Sequence, residues 1–427
     1  MIFFPTIFPN ELLYSVFARY HRNSGNEGSK QTMNELFANP STCSSIWFPS
    51  QLDELTRQIP GHVYNSEDLI RDHTLLPYFI PFIPHERSTN LIEMVKTEIA
   101  SSANMILGRA ALSVKPKQKL MYCSECVDED RTLFGEAYWH RCHQLEGVYI
   151  CPKHNSLLTQ SNISHQTQKN RFHFITLEKS VVDTGRSSAI IDISYLKHYQ
   201  YIAVQSLYLL NKQLPSVGFN KIQSYYVSKL RSEGYVCRAG NRIKWDRLVS
   251  AFRSHYGDRL LTELNGTIRE RDSWLHKILR KPRVSCHPLR HILLLGFLGE
   301  TVESMMNNLA EEKTIYYEPF GHGPWPCLNK AANHYRQPVI VSCKITRCSS
   351  SGNPVGTFIC DCGFIYSRKG PDKADTDRFK IGRIKDFGSM WRIKHAELSL
   401  QNLSLRKQAE LLGCDPQTIV NQQKRLI

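Results

Sequence analysis

Two cysteine and histidine pairs near the middle of the chain have the spacing of metal ligands. Two residues separate Cys123 from Cys126, and the same gap separates Cys151 from His154. Three thiolates and one imidazole fill the tetrahedral positions of Zn²⁺ and leave none open for chemistry. We therefore predict a structural zinc, which contributes folding free energy. The alternative ligands, which lie in the loop between the two pairs, are Cys142 and His143.

A second cysteine-rich stretch offers more ligands than one ion can use. Its candidates are Cys327, His334, Cys343, Cys348, Cys360 and Cys362. The last two cysteines can combine either with Cys327 and His334 or with Cys343 and Cys348, and the spacing leaves both sets open. We predict a second zinc here. The 13 cysteines are an odd number in a large chain, which favours metal binding over a disulfide framework.

Positive charge is concentrated in the central part of the chain. Lysine and arginine number 54 against 39 acidic residues, and the segment from Lys229 to Arg290 alone has 15 basic and 6 acidic residues. Such a cluster favours a polyanionic partner. Trp245 lies among these charges, as expected of a surface that follows phosphates. The predicted DNA contacts in this segment are Arg242, Lys244, Arg247 and Arg253.

The C-terminal stretch LSLRKQAELLGCDPQTIVNQQKRLI has the pattern of a helix-turn-helix. Gly413 allows a tight turn after the first helix, and Asp415 and Pro416 suit the start of the second. Amides and hydroxyls on the second helix would read base edges in the major groove. An ordinary helical hairpin is the alternative. The predicted reading residues are Gln417, Thr418, Asn421, Gln422 and Lys424.

No enzyme motif is evident in the sequence. The chain has no P-loop, GxSxG or HExxH sequence. Asp128, Glu129 and Asp130 could suggest a magnesium site, but three consecutive carboxylates point in different directions on a regular backbone. We interpret them as a solvated turn. The sequence therefore predicts a protein that is not an enzyme.

The elements that position these groups are predicted to be mainly α-helical and divided among several domains. No run approaches the roughly 18 apolar residues of a membrane span. LLPYFIPFIP reads as a packed loop, and the N-terminus lacks the pattern of a signal peptide, so we expect a cytoplasmic protein. The predicted regions are an N-terminal helical or helix-turn-helix region (1–115), a zinc knuckle (116–160), a linking segment (161–220), a basic helical DNA-binding domain (221–310), a zinc ribbon (311–370) and a helix-turn-helix (371–427).

Taken together, several stretches of the first half resemble the TnsD/TniQ family of transposition proteins. They are FPNELLYSVFARYH, HTLLPYFIPF and MILGRAALSVKPKQKLMYCSECVDEDRTLFGEAYWHRCHQLEGVYICPKHNSLL. In the second half, SYYVSKLRSEGYVCRAGNRIKWDRL, HPLRHILLLGFLG, GPWPCLNKAANHYRQPVI and PVGTFICDCGFIYSR are similar to the longer, TnsD-type members.

The resemblance implies a function in choosing insertion sites. Members bind a chromosomal attachment site, typically the 3′ end of the glucosamine-6-phosphate synthase gene, and recruit the AAA+ ATPase TnsC, which brings the transposase. Other relatives use different sites or a CRISPR effector. We therefore expect a bacterial, nucleoid-associated protein whose partner is a double-stranded DNA attachment site. The resemblance also implies an ATPase contact mainly in the N-terminal half. It favours Cys327, His334, Cys360 and Cys362 as the second zinc ligands. A zinc-containing transcriptional regulator is the alternative.

Overall fold

A computed structural model of the chain describes all residues except 2, 43–48, 98–113, 165–173, 183–186, 189–190, 238–241, 270–271, 281–284, 311–318, 350, 352, 402 and 424–427. The chain forms two compact units. The first contains Met1–Tyr226 and Asp246–Thr314, and the second contains Val227–Trp245 and Ile315–Ile427. Helices predominate over a few small sheets, in agreement with the predicted mainly α class.

Most of the described helices precede residue 311. The chain passes from one unit to the other after Tyr226 and back after Trp245, in both cases within a helix. These helices before residue 311 are α1 Leu13–Ser24, α2 Ser29–Phe37, α3 Leu52–Gln58, α4 Ser66–His73, α5 His85–Thr97, α6 Ser124–Phe134, α7 Leu177–Val182, α8 Leu196–Asn211, α9 Phe219–Ser232, α10 Trp245–Tyr256, α11 Asp258–Glu263, α12 Trp274–Leu279, α13 Pro288–Phe297 and α14 Val302–Ala310.

The first helices follow the apolar spacing of the sequence. In α1, Val16, Phe17 and Tyr20 are buried, and the helix ends at Gly25, whose φ of 70° is a left-handed conformation that glycine adopts without steric cost. The proline-interrupted stretch after α4 forms two buried 3₁₀ turns, Leu76–Tyr78 and Ile80–Phe82, as expected of a packed loop. Within the described ranges, we find no helix with the length and apolar character needed to cross a lipid bilayer.

A small antiparallel sheet lies beside the first cysteine pair. Its strands are β1 Lys119–Tyr122, β2 Thr159–Ser164 and β3 Ser187–Ser188, in the order β1-β2-β3. Tyr122 pairs with Thr159, so the residue before Cys123 is fixed in the sheet. This pairing anchors the start of the first candidate metal centre.

The segment 161–220, which the sequence suggested as a link, includes a helix that belongs to the core of the first unit. Along α8, Ile202, Ala203 and Leu209 are buried, and the helix packs against α13. The side chain of Gln205 accepts a hydrogen bond of 2.7 Å from the backbone N–H of Val302. The run LKHYQYIAVQSLYLLN has apolar residues at helical spacing. The segment suggested as a link thus contributes this helix to the core of the first unit.

A buried arginine connects distant parts of the first unit. The guanidinium of Arg141 donates to the side chains of Asn10 and Asn211 at 3.0 and 3.1 Å. It also donates to backbone carbonyl oxygens of Arg71, Thr74 and Leu210 at 2.5, 3.2 and 3.1 Å. Burial lowers the pKa of Arg141 to about 10, so the group stays charged at neutral pH. One side chain thus joins the N-terminal segment, the end of α4 and the end of α8.

The second unit combines small sheets with three C-terminal helices. Its main sheet is antiparallel in the order β6-β7-β8-β9, and β4 pairs with β5. This sheet extends to residue 386, beyond the end at 370 suggested for the zinc ribbon. The elements are β4 Trp325–Pro326, β5 Pro338–Ile340, β6 Ser342–Arg347, β7 Pro354–Ile359, β8 Ile365–Lys369, β9 Arg383–Asp386, α15 Gly388–Ser399, α16 Leu405–Leu412 and α17 Pro416–Gln423.

Replacing Arg141 with alanine should destabilise the first unit. The change leaves five acceptors without their donor, four of them on buried or half-buried residues. We expect a loss of about 3 kcal/mol in the free energy of unfolding. Urea denaturation measures it. The control is Arg57→Ala, since the Arg57 side chain is 68% exposed. Equal stability of the two variants would contradict the connecting function of Arg141.

Candidate metal centres

The first pair of cysteine and histidine motifs converges on one point. The ligand atoms of Cys123, Cys126, Cys151 and His154 all lie within 4.8 Å of one another. Cys126 Sγ is 3.7 Å from Cys151 Sγ and 3.3 Å from His154 Nδ1. Ligand atoms about 2.3 Å from a tetrahedral zinc lie about 3.8 Å apart. The four side chains therefore have the arrangement of ligands around a single ion and could hold a metal.

Local backbone structure brings these ligands together. Cys123 is the N-cap residue of α6, and Cys126 lies on its first turn. On the other side, the N–H of Asn155 donates to the carbonyl oxygen of Cys151 at 2.8 Å, and Asn155 has a left-handed φ of 59°. This tight turn directs His154 back towards the thiols. A helix start and a turn thus form the two halves of the first centre.

An acidic side chain lies close to the outer nitrogen of the histidine ligand, and the same carboxylate oxygen accepts a hydrogen bond from Lys153. Nδ1 of His154 faces the thiols, while its Nε2 lies 3.5 Å from a carboxylate oxygen of Glu129. A carboxylate on the second ring nitrogen fixes the orientation of a metal-bound histidine and raises its basicity. Ser156 Oγ also lies 3.2 Å from Cys123 Sγ. The polar surroundings therefore fit a metal at this point.

The interpretation of Asp128, Glu129 and Asp130 as a solvated turn was wrong. These residues lie on α6, and Asp130 is buried with a contact of 2.8 Å to His140 Nε2. Glu129 follows Cys126 by three positions, so both side chains project from the same side of the helix. That spacing could have identified Glu129 as a supporting residue, because the first cysteine pair already marked the start of the helix.

The alternative ligands of the first centre lie outside the cluster. Cys142 and His143 are not among the ligand atoms that converge. Burial raises the pKa of the Cys142 thiol to about 12, so the thiol stays protonated and packs as a small apolar group. Burial also lowers the pKa of His143 well below its usual range. The structure thus favours the regularly spaced set.

The second centre forms from the Cys327, His334, Cys360 and Cys362 set, with ligand atoms within 4.8 Å of one another. Cys327 Sγ is 3.8 Å from Cys362 Sγ, and Cys360 Sγ is 3.4 Å from His334 Nε2. The amide of Asn329 donates to Cys362 Sγ at 3.6 Å, as suits a thiolate. The competing cysteines are outside this set, and burial raises the pKa of Cys343 to about 11.

A close crossing of the backbone fixes the Cys360 and Cys362 turn. The N–H of Gly363 donates to the carbonyl oxygen of Cys360 at 2.9 Å. The backbone of Gly388, at the start of α15, passes directly over this turn, and a Cβ at Gly388 would lie 2.4 Å from the carbonyl carbon of Gly363. Only glycine fits at position 388. The start of α15 is therefore held against the second centre.

The C-terminal helices share side chains with the core around this centre. Trp391 of α15 is buried, and its indole N–H donates to the carbonyl oxygen of Leu412 at 3.1 Å. Phe387 packs against both the core that contains the cysteines and the core of the three helices. Ala331, from the loop between the first two ligands, also packs against the helical core. The loop of the second centre thus helps to position α16 and α17.

The start and orientation of α17 agree with the sequence pattern. Gly413 ends α16 with a φ of 68°, and the side chain of Asp415 accepts from the N–H of Gln417 at 2.8 Å. Ile419 is fully buried, whereas Gln417 and Asn421 are exposed. Of the other predicted reading residues, Thr418 and Gln422 are half-buried and Lys424 lies outside the described residues.

The predicted basic contacts are exposed but divided between the units. Arg242 and Lys244 belong to the second unit, and Arg247 and Arg253 to the first. Arg253 donates to both carboxylate oxygens of Asp258 at 2.7 and 2.6 Å. This ion pair offsets the charge of Arg253 and weakens it as a phosphate contact.

Comparison with known proteins gives the class of the molecule. The TniQ family matches residues 2–158, and the family described as Tn7-like transposition protein D matches residues 202–427. A relative, the Transposon Tn7 transposition protein TnsD of Escherichia coli, is 26% identical over 295 residues, which cover 68% of this chain and 56% of the relative. The aligned region therefore spans little more than half the length of that protein.

These matches identify a transposition protein of the Tn7 type. The chain belongs to the TnsD family, with a TniQ region in its N-terminal part. The resemblance of the sequence motifs to this family is thereby confirmed. Each of the two metal centres lies within one matched region.

Glu129 gives a test of the first centre. Replacing it with alanine removes the carboxylate beside His154 Nε2, and we expect metal affinity at this centre to fall about 10- to 100-fold. Competition with a zinc chelator measures the affinity. Asp128→Ala is the matched control, because Asp128 is exposed on the same helix and the cluster does not include it. Identical metal affinity of both variants would show that Glu129 does not support the ligand.

Proposed function

We propose that this protein is a DNA-binding target selector for transposition that carries one structural zinc at each centre. Zinc is supported by the ligand chemistry, since three thiols and one imidazole form a closed tetrahedral set in each case. A closed set has no position for a substrate, so we propose that the ions stabilise structure and that the protein is not an enzyme.

The observation that carries the DNA-reading part is the construction of the C-terminal helices. The packing of Phe387 and Ala331 connects the second centre to α16 and α17. In this arrangement α17 exposes Gln417 and Asn421 on one side while Ile419 is buried on the other. Amide side chains at such positions pair with base edges, adenine in particular. We propose that α16 and α17 act as a helix-turn-helix, with α17 in the major groove and Thr418 and Gln422 beside these two residues. Lys424 stays a predicted DNA contact on the basis of the sequence.

The exposed arginines would add contacts that do not depend on sequence. Arg242 and Lys244 are exposed in the second unit and Arg247 in the first, and each phosphate contact releases counterions. Contacts of this kind set affinity and register on the duplex, and base contacts set specificity. We propose that the chain reads an extended site through several small modules.

The family membership supports the proposed partners. We propose that the protein binds a chromosomal attachment site at the 3′ end of the glucosamine-6-phosphate synthase gene and recruits a AAA+ regulator of the TnsC type, which brings the transposase. Its place of action would then be the nucleoid in the bacterial cytoplasm. Nothing in the arrangement of the described residues favours the alternative, a regulator of transcription.

Footprinting on genomic fragments tests the proposal. We expect one long protected region beside a single gene, and we expect the neighbouring AAA+ ATPase to remain bound in a pull-down. Protection without retention of the ATPase would support a transcriptional regulator. The absence of any preferred duplex would refute the proposed function.

Two pairs of substitutions separate reading from phosphate binding. Gln417→Ala with Asn421→Ala should lower the preference for the target over other duplexes, at about 1 to 3 kcal/mol per lost base contact, and leave the salt dependence unchanged. Arg242→Ala with Arg247→Ala should weaken binding to all duplexes and flatten its salt dependence. Salt titrations with target and unrelated duplexes measure both. An unchanged salt slope in the arginine pair would remove this surface from the interface.

A further inference from the structure

An exposed arginine lies within cation–π distance of two aromatic rings beside the second metal centre. The guanidinium carbon of Arg336 lies 5.5 Å from the ring centroid of Tyr335 and 5.4 Å from that of Phe379. Arg336 itself is exposed, and so is the ring of Phe379, at 46%. Stacking on rings restricts a guanidinium and leaves its N–H edge available for hydrogen bonds.

The backbone of this arginine is fixed by the metal centre. The N–H of Arg336 donates to the carbonyl oxygen of the ligand Cys327 at 2.7 Å, and the N–H of Cys327 donates back to Gln337 at 3.0 Å. Arg336 adopts a left-handed φ of 63°, which is uncommon for a residue with a side chain. Glycine or asparagine would suit this backbone better. The side chain is thus presented at a conformational cost, which points to a function outside the fold.

Other arginines of this unit have their charge offset by an aspartate, and Arg336 does not. Arg392 lies 2.8 Å from a carboxylate oxygen of Asp386, and Arg368 lies 2.6 Å from that of Asp372. Within the described part of the chain, Arg336 contacts rings and no carboxylate at ion-pair distance. It therefore presents a full positive charge at the surface.

The same loop contacts the turn between α16 and α17. Lys330 lies against Gly413, where an added Cβ would be 2.9 Å from Lys330 Cδ, and its Nζ donates to the carbonyl oxygen of Glu410 at 3.5 Å. Arg336 follows Lys330 by six residues. A fully extended backbone of that length spans at most about 20 Å, so Arg336 lies within that distance of the turn. Because each base pair adds about 3.4 Å, that distance corresponds to roughly six base pairs of duplex.

We infer that Arg336 binds a backbone phosphate of duplex DNA, within roughly six base pairs of those that α17 contacts. A planar guanidinium can donate to two phosphate oxygens at once. The rings of Tyr335 and Phe379 restrict the orientation of this guanidinium. This inference rests on the proposed function, since α17 must itself bind the duplex. The second centre then contributes a DNA contact of its own besides supporting the helices.

The test uses the full chain with Arg336→Gly, a change that suits the left-handed backbone and removes the side chain with its guanidinium. We expect about tenfold weaker binding to target and unrelated duplexes alike, and a salt slope smaller by about one. Arg392→Ala is the matched control, because the charge of Arg392 is already offset, and we expect its binding to match that of the unmodified chain. Metal content measured on each variant reports an intact second centre. If the glycine variant loses its metal, Arg336→Asn replaces it.

Three outcomes would overturn the inference. The first is a metal-loaded Arg336 variant with unchanged affinity and salt slope. The second is a loss confined to the target duplex at constant slope, which would indicate a base contact instead. The third is a loss confined to single-stranded DNA, which would indicate stacking of bases on Phe379. Failure of the unmodified chain to bind any duplex would instead refute the proposed function, so the two failures are distinguishable.

Discussion

The convergence of three thiols and one imidazole at two points is the constraint on which the rest of the structure depends. Burial raises the pKa of Cys327, and the hydrogen bond with Cys123 raises that of Cys151. In the same clusters the pKa of Cys123 is lowered by the hydrogen bond with Cys126. Against the effect of burial, the pKa of Cys362 is lowered by hydrogen bonds, the first of them from the backbone of Phe364. A bound cation displaces the protons of the thiols that are still protonated. Metal affinity should accordingly fall as the pH falls. Each ion would hold together two segments that are separated in sequence.

The second centre shows how such a constraint reaches a surface that can read DNA. Its ligands fix the turn under Gly388, and Phe387 carries the packing onward to the core of α15, α16 and α17. The loop that begins at Cys327 touches the turn between the last two helices. Loss of the ion would therefore disturb the position of α17 as well as the sheet. In the first unit, the Arg141 side chain likewise joins three segments through its hydrogen bonds.

Local chemistry made some of this predictable from sequence. Metal ligands with short spacing and helix caps such as Asp415 can be predicted from sequence, because one turn of backbone determines their geometry. The choice between two ligand sets at the second centre depended on strand pairing, which spacing does not encode. Glu129 was missed because its carboxylate was judged without the helix that carries it. Arg336 gave no signal, since its left-handed backbone and its stacking on Phe379 arise only from the folded chain.

The most direct test of the central claim is elemental analysis of the purified full chain. We expect two zinc ions per chain, and one ion in Cys126→Ser and in Cys362→Ser, each of which removes a ligand from a single centre. A folded chain that contains no stoichiometric metal would contradict the claim.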